Sequence, residues 1–219
     1  MKKILITGAN RGIGLELCRQ LAGRGDEVVA VCRVAGKQLK ALSLRVIEGV
    51  DVSAAESVRG LQTQAGIEGL DWLINNAGIL SVEGLESLDF DAMERQFQVN
   101  TLGPLRVTAA LLPKLGPGSK VGIITSRMGS IEDNTSGGYY GYRMSKAAVN
   151  MAGMSLAHDL RERRVAVALL HPGMVATDMT GGRGVTPEQS AGGLIKRMDS
   201  LAMTDSGGFW HAEGERLPW

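Results

Sequence analysis

Short apolar runs rich in Val, Ile and Leu recur along the chain at residues 3–7, 27–32, 45–50, 71–75, 120–125 and 165–170, with a weaker one at 208–211. Each has strand length and no polar face, which predicts strands covered by helices on both sides. Between them the spacing turns helical: Ile13, Leu17 and Leu21 fall one helical turn apart, and the longer segments 91–115 and 142–163 read as helices. Strand and helix alternating in this way predict an α/β fold, a doubly wound parallel sheet of about seven strands with helices on both faces. No repeat, linker or break in composition interrupts the pattern, so residues 1–219 are expected to form a single domain. Pro113 with Gly116-Pro117-Gly118 marks the turn into the fifth strand, and 180–186 (TGGRGVT) is the one long glycine-rich loop.

Charge and composition narrow the function. The 24 Lys and Arg nearly balance the 23 Asp and Glu, which removes any general attraction to nucleic acid or to an anionic membrane. Cys18 and Cys32 form no CxxC pair, and with His158, His171 and His211 they offer no metal-ligand spacing, so no metal is expected. The two thiols read as small apolar groups in a reducing cytoplasm. The opening apolar run breaks at Thr7-Gly8, too soon for a secretory leader, and residues 165–170 are too few to span a membrane, so the expectation is a soluble, cytoplasmic protein. Glycine stands out: 30 of 219 residues, dispersed between the apolar runs, fit tight turns and close approach of backbone to a ligand.

The first strand runs directly into Gly8-Ala9-Asn10-Arg11-Gly12-Ile13-Gly14, which opens the first helix. Glycines at such a junction bring backbone amides and the positive end of the helix dipole up to a pyrophosphate. With Asp51-Val52, Asn75-Asn76-Ala77-Gly78, Asn100, Ser126, Tyr142 with Lys146, and Pro172-Gly173 followed by Thr177, the chain resembles the short-chain dehydrogenase/reductase family over nearly its whole length. The run YRMSKAAVN and the terminal GGFW and LPW are most similar to the compact branch containing the bacterial C-factor and the sniffer-like carbonyl reductases. The resemblance implies a Rossmann fold with the cofactor on Gly8, Asn10, Arg11, Gly12, Ile13, Gly14, Arg33, Asp51, Val52, Asn76, Ala77, Gly78, Tyr142, Lys146, Pro172, Gly173, Val175 and Thr177. It also implies a homodimer.

All three tyrosines fall within GGYYGYRMSK, residues 137–146. Residues four apart share a helix face, so Tyr142 can pair with Lys146, whereas Tyr139 and Tyr140 meet Arg143 and Met144. A neighbouring ammonium and an oxidised nicotinamide ring are expected to lower the Tyr142 pKa toward neutrality and make it an acid–base catalyst. Tyr139 and Tyr140 are expected to line the pocket wall or pack beneath it.

Ser126, at the end of the fifth strand, is the candidate to hydrogen-bond the substrate oxygen beside Tyr142, with Ser130 as its competitor. Asn100 sits among Phe97, Val99 and Leu102 and needs a buried partner; the resemblance implies that it holds a water linking Lys146 to solvent, the alternative being a simple helix distortion. After the second strand, where an NAD site commonly offers a carboxylate to the ribose 2′-OH, this chain has Cys32 and then Arg33. Arg33, with Arg11 as a second cation, predicts NADP(H); the alternative is two solvated surface arginines. Little chain lies between Thr177 and Pro187 from which to build a lid, which predicts an open, shallow pocket. The expected function is reduction of an aldehyde or ketone, a small-molecule carbonyl, by NADPH, catalysed by Ser126, Tyr142, Lys146 and Asn100. The competing reading is a dinucleotide-sensing protein that binds without turnover.

Overall fold

The computed structural model describes residues 1–66 and 68–219. One sheet holds β1 (Lys3–Thr7), β2 (Glu27–Val31), β3 (Arg45–Ile47), β4 (Leu70–Asn75), β5 (Leu115–Ile124), β6 (Ala166–His171) and β7 (Gly208–His211). They are ordered β3-β2-β1-β4-β5-β6-β7 and every neighbouring pair is parallel. The connections carry α1 (Gly12–Gly23), α2 (Lys37–Lys40), α3 (Ala55–Arg59), α4 (Leu61–Gln64), α5 (Phe90–Phe97), α6 (Gly103–Leu111), α7 (Tyr140–Asp159) and α8 (Pro187–Ser200).

Alternation along each strand divides the core. Ile4 and Ile6 of β1, with Trp72 and Ile74 of β4, pack on Leu17 and Leu21 of α1 and on Leu194 and Met198 of α8. The residues between them, Leu5 and Leu73, pack the other way, in the cluster holding Val107 and Leu111 of α6 and Val149 of α7. Each such side chain removed from water contributes about 1.5–3 kcal/mol, so the layers on both faces are held by the same strands. The order of strands changes direction between β1 and β4, and a ligand crevice is expected outside the carboxyl ends at that point.

The observed elements differ from the apolar pattern in three informative places. The segment 91–115 is not one helix: α5 passes through a π-helical turn, Gln98–Leu102, into α6, and a 3₁₀ turn, Leu112–Lys114, ends it. β5 starts at Leu115 rather than 120, because Gly116-Pro117-Gly118 is taken into the strand as an irregularity that shifts the register between Leu70↔Leu115 and Trp72↔Lys120. β5 also ends at Ile124, so Ser126 lies beyond the strand and caps the 3₁₀ turn Arg127–Gly129, its Oγ accepting from the Met128 amide at 3.1 Å.

β6 ends at His171, whose ring meets that of His211 edge-on with centroids 5.0 Å apart. Burial, then His211, Arg127 and Lys146, push the His171 pKa from 6.5 down to about 3. The folded chain therefore keeps this ring neutral while the unfolded chain takes up a proton, so stability falls as pH drops below 6.5 and continues to fall toward about 3. His171→Gln is expected to flatten that decline in urea unfolding midpoints between pH 6.5 and 4; an unchanged slope would remove His171 as its source.

Candidate active site

At the switch point the ends of β1 and β4 are tied to each other by their own sequence. Thr7 Oγ1 accepts from the amides of Asn76 and Ala77 at 3.1 and 3.2 Å, and Asn76 Nδ2 donates to the carbonyls of Thr7 and Gly8 at 3.0 and 3.1 Å. The approach is so close that a Cβ on Gly8 would lie 2.7 Å from Ala77 Cα, and one on Gly14 would lie 2.5 Å from Asn76 Nδ2. Gly8 also has φ +66°, a conformation glycine adopts without penalty. The turn thus presents bare backbone at the N-terminus of α1, where a pyrophosphate would be held by amides and the helix dipole.

A groove of about 1420 Å³ opens here, along the carboxyl edge of the sheet. The cofactor-side residues expected from the sequence line it, except Gly173 and Val175. Val175 is buried, and its carbonyl accepts from Thr180 Oγ1 at 2.6 Å, which shapes the loop rather than the groove wall. That loop closes on itself: Ala176 N donates to Val185 O at 2.8 Å and Val185 N to Met174 O at 2.9 Å. Gln38 and Ser53 also line the β2 end; nothing in their sequence setting singled them out. Ser53 supports Asp51, donating from Oγ at 2.7 Å and from its amide at 2.9 Å. These bonds, followed by the Arg33 charge, hold the Asp51 carboxyl below its ordinary range despite partial burial.

The two arginines part company. Arg33 forms no ion pair among the described residues, whereas Arg11 Nη1 donates to Asp178 Oδ2 at 3.1 Å across the groove. Both partners of that bridge are well exposed, so it contributes about 0–1 kcal/mol. A charged hydrogen bond to a phosphate contributes about 1.5–3 kcal/mol, enough to draw Arg11 away.

At the opposite end of the groove α7 carries Tyr142 and Lys146 inward, 8 % and 4 % exposed. Lys146 Nζ lies 5.6 Å from the Tyr142 ring centroid and donates to the Ile124 carbonyl at 2.9 Å. Burial pushes the lysine from 10.5 down to about 8. It also pushes the Tyr142 phenol up to about 12, with the nearby Ser126 hydroxyl pulling the other way. Exclusion of water from the ring is thus the largest influence on the phenol in this structure, whereas the lowering expected from the sequence counts on an oxidised nicotinamide ring beside it.

Ser126 and Ser130 are separated by their partners. Ser130 Oγ is committed twice, donating to Trp219 O at 2.9 Å and accepting from Asp133 N at 3.0 Å. Thr125, beside Ser126, donates to Asn150 Oδ1 at 2.6 Å. Ser126 Oγ, which accepts only from the Met128 amide among the described residues, is the hydroxyl near enough to Tyr142 to act on its pKa. Asn100 lies in the π turn and finds its buried partners: Oδ1 accepts from Ile79 N at 2.9 Å, and Nδ2 donates to Ile79 O at 2.9 Å and to Ser145 Oγ at 3.0 Å. Neither Ser126 nor Asn100 lines the groove itself. Tyr139 and Tyr140 do not line it either; both are exposed, which corrects the expected wall. Two further residues were hidden from sequence reasoning. A Cβ on Gly129 would lie 2.7 Å from the Lys146 backbone, so this glycine sets how closely the Ser126 turn approaches α7, and the buried Glu83 meets the start of that helix.

Among the described residues no group of His, Cys, Asp or Glu could hold a metal, and no helix is long and apolar enough to cross a membrane. The profile of the short chain dehydrogenase family matches residues 2–187, and the chain belongs to that family. It is an oxidoreductase of the family's carbonyl-reductase-like branch. The 1-hydroxy-2-glutathionyl-2-methyl-3-butene dehydrogenase of Rhodococcus sp. (strain AD45) is 48% identical over 226 aligned positions, covering 100% of both chains. Among solved structures, the carbonyl reductase Sniffer of D. melanogaster matches with TM-score 0.92 and 32% identity over 100% of both chains. The NADPH-bound carbonyl reductase from chicken fatty liver matches with TM-score 0.91 and 31% identity, over 100% of this chain and 99% of that one.

The packing of the glycine turn yields a direct expectation. Gly14→Ala drives a methyl group into Asn76 and the Gly8 carbonyl, and should weaken NADPH binding on the order of tenfold or more. Fluorescence titration of NADPH measures it, and unaltered affinity would show that the turn does not hold the dinucleotide.

Proposed function

We propose that the protein is an NADPH-dependent reductase of aldehydes or ketones in which Tyr142 is the proton donor. The observation that carries this reading is the burial of Tyr142 and Lys146 together at one end of the groove, with the Ser126 hydroxyl near the phenol. The glycine turn would hold the pyrophosphate, Arg33 and Arg11 the 2′-phosphate, and Lys146 the nicotinamide ribose. Pro172, Gly173 and Thr177 would position the carboxamide. Bound NADPH supplies the hydride.

The chain's own residues handle the proton. With its pKa pushed up to about 12, Tyr142 is fully protonated at neutral pH and can give its proton to the alkoxide oxygen as negative charge develops there. Ser126 donates a hydrogen bond to the same oxygen, stabilising that charge in a site from which water is excluded. Lys146, as the ammonium below about pH 8, stabilises the phenolate left behind. Asn100 would hold the water through which Lys146 returns a proton. The 175–185 loop, closed on itself by the Val175–Val185 bridge, would leave little chain to enclose a substrate, which favours turnover of several small carbonyls over one.

The 48% identity to a dehydrogenase of a glutathionyl-bearing hydroxy compound favours a second reading, oxidation of an alcohol carried on a glutathione thioether. One assay separates the readings: NADPH oxidation with a panel of aldehydes, ketones and 1,2-diketones, against NADP⁺ reduction with S-(2-hydroxyethyl)glutathione. Binding of NADPH with turnover in neither direction would instead support a dinucleotide sensor.

Tyr142→Phe is expected to leave NADPH affinity nearly intact and to lower kcat by a factor on the order of 10² or more, whereas Tyr139→Phe and Tyr140→Phe, at exposed positions, should be mild. Equal losses in all three would point to packing. The cofactor assignment is read from kcat/KM for NADPH over NADH, expected to be at least about tenfold and to collapse in Arg33→Asp. A wild-type ratio near one, or a ratio unmoved by the substitution, would show that Arg33 does not read the phosphate.

A further inference from the structure

Glu83 lies between β4 and α5, 2 % exposed, and does not line the groove. Its carboxylate faces three donors. Oε1 accepts from the Ser81 hydroxyl and from Gln96 Nε2 at 2.9 Å, and Oε2 accepts from the Gly141 amide at 3.3 Å. The Glu83 carbonyl accepts from the Tyr139 amide at 2.9 Å. Tyr139 and Gly141 straddle the entry into α7, and Tyr139 has φ +52°, the left-handed region that non-glycine residues avoid. That entry is held in place by contacts from outside the helix, and Glu83 makes two of them.

The chemistry requires an acid here. Gln96 is fully buried and its Oε1 accepts from the Ser81 amide at 3.1 Å, so its NH₂ group must point at residue 83. A glutamine at 83 would set its own NH₂ against either Gln96 Nε2 or the Gly141 amide, donor facing donor. Only a carboxylate accepts on both sides. Tyr142 follows Gly141 directly, and Ser145, one turn on, is held through Asn100 Nδ2 at 3.0 Å.

We propose that Glu83 is a positioning residue for Tyr142: it clamps the strained start of α7 so that the phenol emerges opposite Ser126. The proposal rests on the reading of Tyr142 as proton donor. The test uses the full chain as wild type, Glu83→Gln, Tyr142→Phe and the double variant. Hydrogen–deuterium exchange of residues 137–146 without substrate, NADPH affinity, and kcat and KM with diacetyl are measured for each. Glu83→Gln should raise exchange at the start of α7 by about tenfold, leave NADPH affinity within about twofold, and lower kcat on the order of tenfold with KM little changed. In the Tyr142→Phe background the same substitution should cost less than about twofold, because its effect passes through that phenol. Unaltered exchange, or an equal loss of kcat in both backgrounds, overturns the positioning role. A Tyr142→Phe variant with full turnover overturns the proton-donor reading and this proposal with it, while the exchange data report separately whether Glu83 holds the helix. If Glu83→Gln does not fold, Ser81→Ala takes its place in the same cycle, expected to show a smaller loss that also vanishes without the Tyr142 hydroxyl; an additive loss would overturn the proposal.

Discussion

Keeping the Lys146 ammonium out of water is the constraint on which the catalytic end of the fold turns. Removing a charge from water costs several kcal/mol before any partner is found, and the fall of this lysine to about 8 expresses that cost. Ile124 supplies a carbonyl from the end of β5, and α7 must hold its place for that bond to persist. Gly129 admits the helix to close range, and the Ser145 carbonyl accepts from Thr101 Oγ1 at 2.8 Å, pinning it to the π turn. The same water exclusion raises Tyr142, so one feature sets the protonation of both side chains.

Polar side chains, rather than the apolar layers, connect the separate chain segments of the site. Asn76 and Thr7 join two strand ends that are far apart in sequence, Asn100 joins the π turn to Ile79 and to α7, and Glu83 with Gln96 joins α5 to the start of α7. Thr7, Glu83, Gln96 and Asn100 are buried and hydrogen-bonded, which is what makes such a network rigid instead of costly. The apolar core on either side of the sheet is tolerant by comparison, since its attraction has no direction.

The positions legible in the chain are those with local causes. The strands announced themselves by apolar runs, and β1 and β7 have the predicted bounds. The glycine turn was legible from its place between a strand and a helix. What misled was also local: 91–115 keeps helical spacing through residues where the hydrogen-bond pattern widens into a π turn, and Gly116-Pro117-Gly118 has the composition of a turn yet continues β5 through an irregular register. Short α2, α3 and α4 left too few turns to register a period.

By itself the sequence determined the alternating architecture, the glycine turn, and which tyrosine has a lysine four residues on, because spacing and backbone freedom are properties of neighbours along the chain. Only the tertiary structure decided the direction of the Tyr142 pKa, the commitment of Ser130 to Trp219, the exposure of Tyr139 and Tyr140, and the meeting of Glu83 with Gly141. Those depend on how much water is excluded and on which distant group arrives at hydrogen-bonding distance, and no spacing along a chain encodes either.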